Sequence, residues 1–284
     1  MATAAVGQLC STASMTHNLA QCRSLVQKAV SAGAKALFLP EASDYIAASP
    51  AETVALAVPI QTSPFVLGLQ AEASKHKLPI NVGIHEPTEE GKRVKNTLIW
   101  IDGRGSIAQR YQKLHLFDVE IENGPILKES NSVEPGNKIL PPFDTAVGKV
   151  GEMICFDLRF PTLSTRIRDL GAQILTYPSA FTVPTGEAGH WEILLRARAI
   201  ECQSYVIAAA QVGRHGGKRM SYGHSMVVDA WGKILGDAGG IEQWDASGQV
   251  PNIITAEIDL AKLERIRLEM PLRARRDIID IVEK

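Results

Sequence analysis

Three reactive residues in this chain obey one positional rule: each stands just past a stretch that reads as a β-strand. Glu41 follows Leu37-Phe-Leu-Pro40, Lys113 follows a strand ending at Tyr111, and Cys155 follows Met153-Ile154. In α/β proteins the mouth formed by strand ends is where ligands bind. Together the residue types make one chemistry. A cysteine attacks an amide or nitrile carbon, and a carboxylate beside it takes the thiol proton and later returns it to the leaving amine. A lysine ammonium supports the developing oxyanion and holds the carboxylate charged. No histidine is required, which separates this set from a cysteine–histidine protease.

Cys155 has the most telling surroundings. The run Lys149-Val-Gly-Glu-Met-Ile-Cys155-Phe-Asp-Leu-Arg-Phe-Pro161 reads as a short apolar strand, a tight turn and a helix opened by Pro161, a good first-turn residue. That placement aims the thiol out of the sheet, beside backbone N–H groups and a positive dipole end. It predicts a setting that favours thiolate and stabilises an oxyanion.

The elements that must position these residues alternate along the chain. Strands are expected at Ala4–Leu9, Ala36–Leu39, Pro79–Ile84, Asn96–Ile101 and Ser106–Tyr111, the last two joined by a turn at Asp102–Gly105. Helices are expected at Thr16–Ala32, where Leu19, Cys22, Val26 and Ala29 form one stripe, and at Pro64–His76. Beyond Cys155 the order recurs: helix Thr162–Leu170, strand Ile174–Tyr177, helix His190–Cys202, then strands Tyr205–Ala210, His224–Asp229, Lys233–Gly236 and Asn252–Ile258. Glu86–Lys95 and Ile121–Pro142 read as loops.

Residues echo the order too. Gly33-Ala-Lys-Ala-Leu-Phe-Leu-Pro-Glu-Ala42 aligns with Gly171-Ala-Gln-Ile-Leu-Thr-Tyr-Pro-Ser-Ala180, with Gly, Ala, Leu, Pro and Ala at matching offsets. Two pseudo-repeated halves predict two mixed sheets packed face to face with helices outside: an α/β, four-layer α-β-β-α sandwich spanning 1–284 as one domain. The basic tail Met270-Pro-Leu-Arg-Ala-Arg-Arg-Asp277 reads either as a solvated end or as an arm, around 270–284, crossing a partner subunit.

Composition narrows the class. The chain has 284 residues, 45% hydrophobic and 21% charged, with a net charge of −1. Nothing there suits a nucleic acid or an anionic membrane partner. Four cysteines, Cys10, Cys22, Cys155 and Cys202, show no metal or disulfide spacing, which points to a reducing, cytoplasmic setting and no metal. The N-terminus has no signal-peptide or transit-peptide pattern.

The motifs resemble those of the nitrilase (carbon–nitrogen hydrolase) superfamily over nearly the whole chain. The matching residues are Pro40-Glu41-Ala42, Tyr111-Gln-Lys113-Leu-His-Leu-Phe-Asp118 and Ile154-Cys155-Phe-Asp-Leu-Arg-Phe-Pro161. The resemblance implies Glu41 as general base and acid, Lys113 as oxyanion support, Cys155 as nucleophile, and Glu129 as the residue that positions the lysine. It also implies no cofactor and a homodimer or higher homo-oligomer. Further likeness in Tyr177–Phe181, His190–Glu201 and Ser221–Gly232 is to the branch containing the deaminated glutathione amidases and the ω-amidases. Ala208–His215 and Lys218–His224 lean towards the former. Two departures stand out: Ala230 where proline is usual, and Glu152 where small or apolar residues are usual. If buried, Glu152 requires a partner, and a basic one is expected.

Substrate-binding residues expected near the nucleophile are Phe156, Arg159, Ser179 and Phe181. Arg159 is read either as an ion pair with Asp157 or Asp169, or as a clamp on a substrate carboxylate, which its planar guanidinium suits. Arg214, His215, Lys218 and Arg219 read as a basic loop, solvated or facing a second substrate carboxylate. Arg198 is expected to be ion-paired within its helix face, and Cys10, Cys22 and Cys202 to be structural thiols. The small-molecule amidase reading has two rivals: a non-catalytic scaffold on the same fold, and a thiol redox sensor using Cys155.

Overall fold

The computed structural model describes residues 1–120, 126–217 and 219–273. Its first sheet runs, edge to edge, through Asn252–Ile258, Ala2–Gln8, Ala36–Phe38, Ile80–Pro87, Val94–Ile101 and Ile107–Gln112, with Val133–Glu134 also paired to Val94–Ile101. The second runs through Ile234–Asp237, Met226–Val228, Tyr205–Ala208, Ile174–Thr176, Gly148–Glu152 and Phe143–Thr145.

The sheets repeat one another. In each, three parallel strands follow in order, joined by helices. Met15–Ser31 and Pro64–His76 make the crossovers in the first half, Pro161–Asp169 and His190–Cys202 those in the second. Two antiparallel strands extend one side of each trio and one antiparallel strand closes the other. The echo between Gly33–Ala42 and Gly171–Ala180 is therefore structural. Gly33 and Gly171, at φ 70° and 106°, end corresponding helices, where a positive φ favours glycine.

Period-two alternation builds the layers. Ala4, Val6, Ala36 and Phe38 face the other sheet and meet Val150, Ile174, Tyr205 and Ile207 there. Their neighbours Ala5, Leu37 and Leu39 face the outer helices, against Leu19, Cys22, Leu25, Val26 and Ala29 of Met15–Ser31. Trp191, Leu195, Ala199 and Cys202 cover the second sheet in the same way. Ser14 caps the first helix by accepting from the His17 N–H.

Several expectations need correction. The ladder between Ile80–Pro87 and Val94–Ile101 runs into the expected loop 86–95, as far as Pro87 opposite Val94. Within the expected loop 121–142 lie a strand at Ile126–Lys128, a 3-10 helix at Glu129–Asn131 and a strand at Val133–Glu134; residues 121–125 fall outside the described part. Helices at Pro50–Leu56, Val183–Glu187, Ile241–Ala246 and Leu260–Glu269 were not anticipated. The basic stretch is no loop but an antiparallel hairpin, Val212–Gly216 with Arg219–Tyr222. Alternation turns His215 inward, onto the Ser11 carbonyl at 2.9 Å and the Ser221 hydroxyl at 2.7 Å. Arg214 and Arg219 remain exposed, and Lys218 is outside the described residues.

Glu152 is buried between the sheets, but its partner is not basic: Asn81 Nδ2 donates to its Oε1 at 2.8 Å. Most of the expected C-terminal arm, residues 274–284, lies outside the described residues. No helix among the described residues is long and apolar enough to cross a membrane.

Candidate active site

Glu41 leaves the Ala36–Phe38 strand through Pro40, against a strand that must come very close. A Cβ at Gly83 would lie 2.5 Å from Glu41 Cα, so only glycine permits this approach. Ala42 follows at φ 54°, a strained value for a residue with a Cβ. Gln211 donates to the Glu41 carbonyl at 3.0 Å and pins the turn.

The Glu41 carboxylate is 5% exposed and accepts three hydrogen bonds. Asn96 Nδ2 and Lys113 Nζ reach Oε1 at 2.8 and 2.9 Å, and the Ala180 N–H reaches Oε2 at 2.8 Å. Burial pushes this carboxyl up, but the Lys113 charge and the three donors outweigh it and hold it down to about 2.

Lys113 follows the Ile107–Gln112 strand and is 2% exposed. Its Nζ also donates to Glu129 at 3.1 and 2.9 Å. Burial alone would discharge the ammonium, but Glu129 and Glu41 flank it and push its pKa well up. Glu129 begins the Glu129–Asn131 3-10 helix and is fixed by the Phe117 N–H at 2.6 Å and by Asn96 at 3.1 Å. One asparagine thus spans both carboxylates.

Cys155 stands at φ 45° at the start of the 3-10 helix Cys155–Arg159. Its N–H donates to the Pro178 carbonyl at 3.0 Å, and the Asp157 N–H to the Ile154 carbonyl at 2.9 Å. Among the described residues this leaves the Phe156 N–H, between them, as the backbone donor beside the thiol. Buried Asp157 braces the turn, accepting from the Ile154 and His115 N–H groups at 3.0 Å each and from the Tyr111 hydroxyl at 2.7 Å. Buried Arg198 holds the far side through the Leu158 carbonyl at 3.1 Å and pairs with Glu201 at 2.5 Å.

The expectation of a thiolate is not met. Burial, then the Glu41 charge, push the Cys155 thiol up, with Lys113 only partly opposing. The physical reason is the local charge: one ammonium already faces two carboxylates, and a thiolate would add a third anion. Neutral thiol beside ionised carboxylate is the resting form. Attack with concerted proton transfer to Glu41 moves the charge onto the substrate oxygen without adding any.

The mouth is aromatic. Phe156 sits edge-on to Phe117 and Phe160, at centroid distances of 5.1 and 5.7 Å, and buried Phe181 lies against Trp191. The Arg159 guanidinium lies 6.0 Å from the Phe156 ring and 5.8 Å from Phe181, and donates to His190 Nδ1 at 3.1 Å. It pairs with neither aspartate: Asp157 is taken as above, and Asp169 faces Arg273 at 3.6 Å. Ser179 is fully buried, and its hydroxyl donates to the Tyr177 carbonyl at 2.9 Å. Its neighbour's N–H, at Ala180, is what touches Glu41.

Asn96, Ala180, Asp157 and Gln211 escaped the sequence reading. The signal for Asn96 was present: a buried amide in the strand that runs on into the apolar Leu98–Ile101. Backbone donors such as Ala180 leave no mark in residue type. Among the described residues no group of three or more His, Cys, Asp and Glu is gathered as for a metal.

A family model described as carbon-nitrogen hydrolase matches residues 3–268. A Schizosaccharomyces pombe protein called probable hydrolase nit2 is 47% identical over 98% of this chain and 99% of its own length. The deaminated glutathione amidase of Mus musculus is 44% identical over 94% of this chain and 81% of that protein. Among solved structures, Saccharomyces cerevisiae Nit3, a member of branch 10 of the nitrilase superfamily, superposes with a TM-score of 0.82 at 30% identity, covering 97% of this chain and 96% of that one. The C. elegans NitFhit protein gives 0.89 at 39% identity, covering 97% of this chain and 65% of that longer one.

Proposed function

The chain belongs to the carbon–nitrogen hydrolase family, and on that premise we propose that it hydrolyses a small carboxylate-bearing amide through a Cys155 thioester. The observation that carries this is the buried Glu41 carboxylate ion-paired with Lys113 Nζ at 2.9 Å, both charges close enough to the Cys155 thiol to act on it. Cys155 attacks the carbonyl as its proton passes to Glu41. Lys113 and the Phe156 N–H receive the oxyanion. Glu41 protonates the leaving amine, then takes a proton from water as it cleaves the thioester. Glu129 holds Lys113 in place and charged.

For substrate we propose deaminated glutathione, hydrolysed to α-ketoglutarate and cysteinylglycine in metabolite repair. The relatives' names support this, and so does Arg159, which has no carboxylate partner among the described residues and stands at the aromatic mouth. Phe156 and Phe181 would line the acyl group. The same-class alternative is α-ketoglutaramate, the ω-amidase substrate. The buried free thiols Cys10, Cys22 and Cys202 are consistent with a cytoplasmic location. The exposed apolar side chains Ile193, Ile200 and Trp231 are consistent with a homodimer or larger homo-oligomer.

The test is turnover of both amides by the purified protein, with Cys155→Ala as blank. Preference for deaminated glutathione supports the reading, and preference for α-ketoglutaramate replaces it with the ω-amidase. Turnover of neither removes the substrate assignment.

A further inference from the structure

Glu152 is 4% exposed in the layer between the sheets. From it the chain passes through Met153 and Ile154 straight into Cys155. Its one hydrogen bond among the described residues comes from Asn81, on the opposite sheet. Asn81 shares a strand face with Gly83, the glycine that seats Glu41. Thr176 is the register partner of Glu152 on the neighbouring strand and is likewise buried. Glu152 Oε2, Asn81 Oδ1 and Thr176 Oγ1 have no hydrogen-bond partner among the described residues.

The surroundings hold no compensating charge. Asn81 and Thr176 are neutral, and Phe38 and Trp100 are among the apolar side chains of this layer. The titratable group that senses Glu152 from another strand is Tyr111, itself bonded to Asp157. No lysine, arginine or histidine among the described residues pairs with the carboxyl. An isolated buried carboxylate is strongly disfavoured. A carboxylic acid avoids that penalty.

We propose that Glu152 is a positioning residue for the nucleophile: as a neutral acid it lets the strand leading to Cys155 pack against the Asn81–Gly83 strand that seats Glu41, and its ionisation, by leaving an uncompensated charge between the sheets, loosens that packing. Burial, partly opposed by the Asn81 hydrogen bond, pushes its carboxyl up to about 8. The loosening therefore falls within the working range of an enzyme. The inference rests on Cys155 being the nucleophile.

Three measurements on wild type and Glu152→Gln test it. Infrared difference spectra between pH 6.5 and 9 should show a buried protonated-carboxyl band in wild type that fades as pH rises and is missing from the variant. The rate of Cys155 alkylation by iodoacetamide, followed by peptide mass, should give a wild-type to variant ratio that falls about ten-fold from pH 7 to pH 9. The melting temperature should drop further over that range in wild type than in the variant. If Glu152→Gln fails to fold, Glu152→Met, apolar and similar in length, takes its place.

A wild type without the band, or variants whose alkylation and melting follow wild type in parallel at every pH, overturns the proposal. Failure of the nucleophile reading would show differently, as unchanged turnover by Cys155→Ala, while the infrared and melting results would still decide the protonation of Glu152.

Discussion

The Ala180 N–H donates to Glu41 Oε2 at 2.8 Å, and these two residues come from corresponding segments of the two halves of the molecule. Glu41 follows the proline that ends Ala36–Phe38, and Ala180 lies two residues past the proline that follows Ile174–Thr176. The Glu41 carboxylate is therefore oriented by both sheets. Its position depends on how closely the strands beneath it pack.

Gly83→Ala tests that dependence. The added methyl group would lie 2.5 Å from Glu41 Cα, and neither backbone can yield cheaply. A displacement of about 1 Å in a catalytic group costs on the order of 100-fold in rate. We expect kcat/KM to fall by about that factor with the circular dichroism spectrum retained. Wild-type kinetics in a folded Gly83→Ala protein would show that the close approach does not set Glu41.

Asn96 bridges Glu41 and Glu129 at 2.8 and 3.1 Å. Asn96→Ala removes one donor from each carboxylate, and a hydrogen bond to a charged group is worth about 1.5–3 kcal/mol. Steady-state kinetics should show kcat lower by roughly ten- to a hundred-fold with KM little changed, because the amide nitrogen is taken up by the two carboxylates. A change confined to KM would place Asn96 in substrate binding instead.

How much of this was legible beforehand depends on the kind of determinant. Glu41, Lys113 and Cys155 announce themselves by residue type at strand ends, Glu129 only through the family resemblance, and the structure gathers all four. The layer order was readable because the Gly33–Ala42 and Gly171–Ala180 echo and the recurring element order mark two halves that each form a sheet. The resting state of Cys155 was not readable. Position relative to a helix start suggests a thiolate, but the excess of carboxylate charge around it appears only when distant segments meet. The hairpin at Val212–Tyr222 was missed because Gly216-Gly217 and three nearby basic residues mimic a solvated loop.

Acid stability should carry the mark of Glu41. Its carboxyl is lowered from 4.5 to about 2 on folding, so the unfolded chain binds the proton more tightly. The stabilisation is complete above the unfolded value and is lost as pH falls from about 4.5 towards 2. Denaturant titrations over that window should give Glu41→Gln a shallower loss than wild type, by up to about 1.4 kcal/mol per pH unit. Parallel curves would mean that the Lys113 ion pair leaves no net linkage.

Asp157 is a brace rather than a reactant. It holds Tyr111, His115 and the Ile154 N–H, and its loss leaves those groups unpaired under the nucleophile turn. We expect Asp157→Ala to lose about 3 kcal/mol or more in urea unfolding. An unchanged midpoint with activity abolished would assign it to the chemistry.

The thioester is the central claim, and hydroxylamine interception tests it most directly. With deaminated glutathione as substrate, the wild-type enzyme should form the acyl hydroxamate in competition with hydrolysis. Total release of cysteinylglycine should account for both products, and Cys155→Ala should form neither. Hydrolysis by wild type with no hydroxamate at saturating hydroxylamine, or turnover by Cys155→Ala, would contradict a covalent route through Cys155.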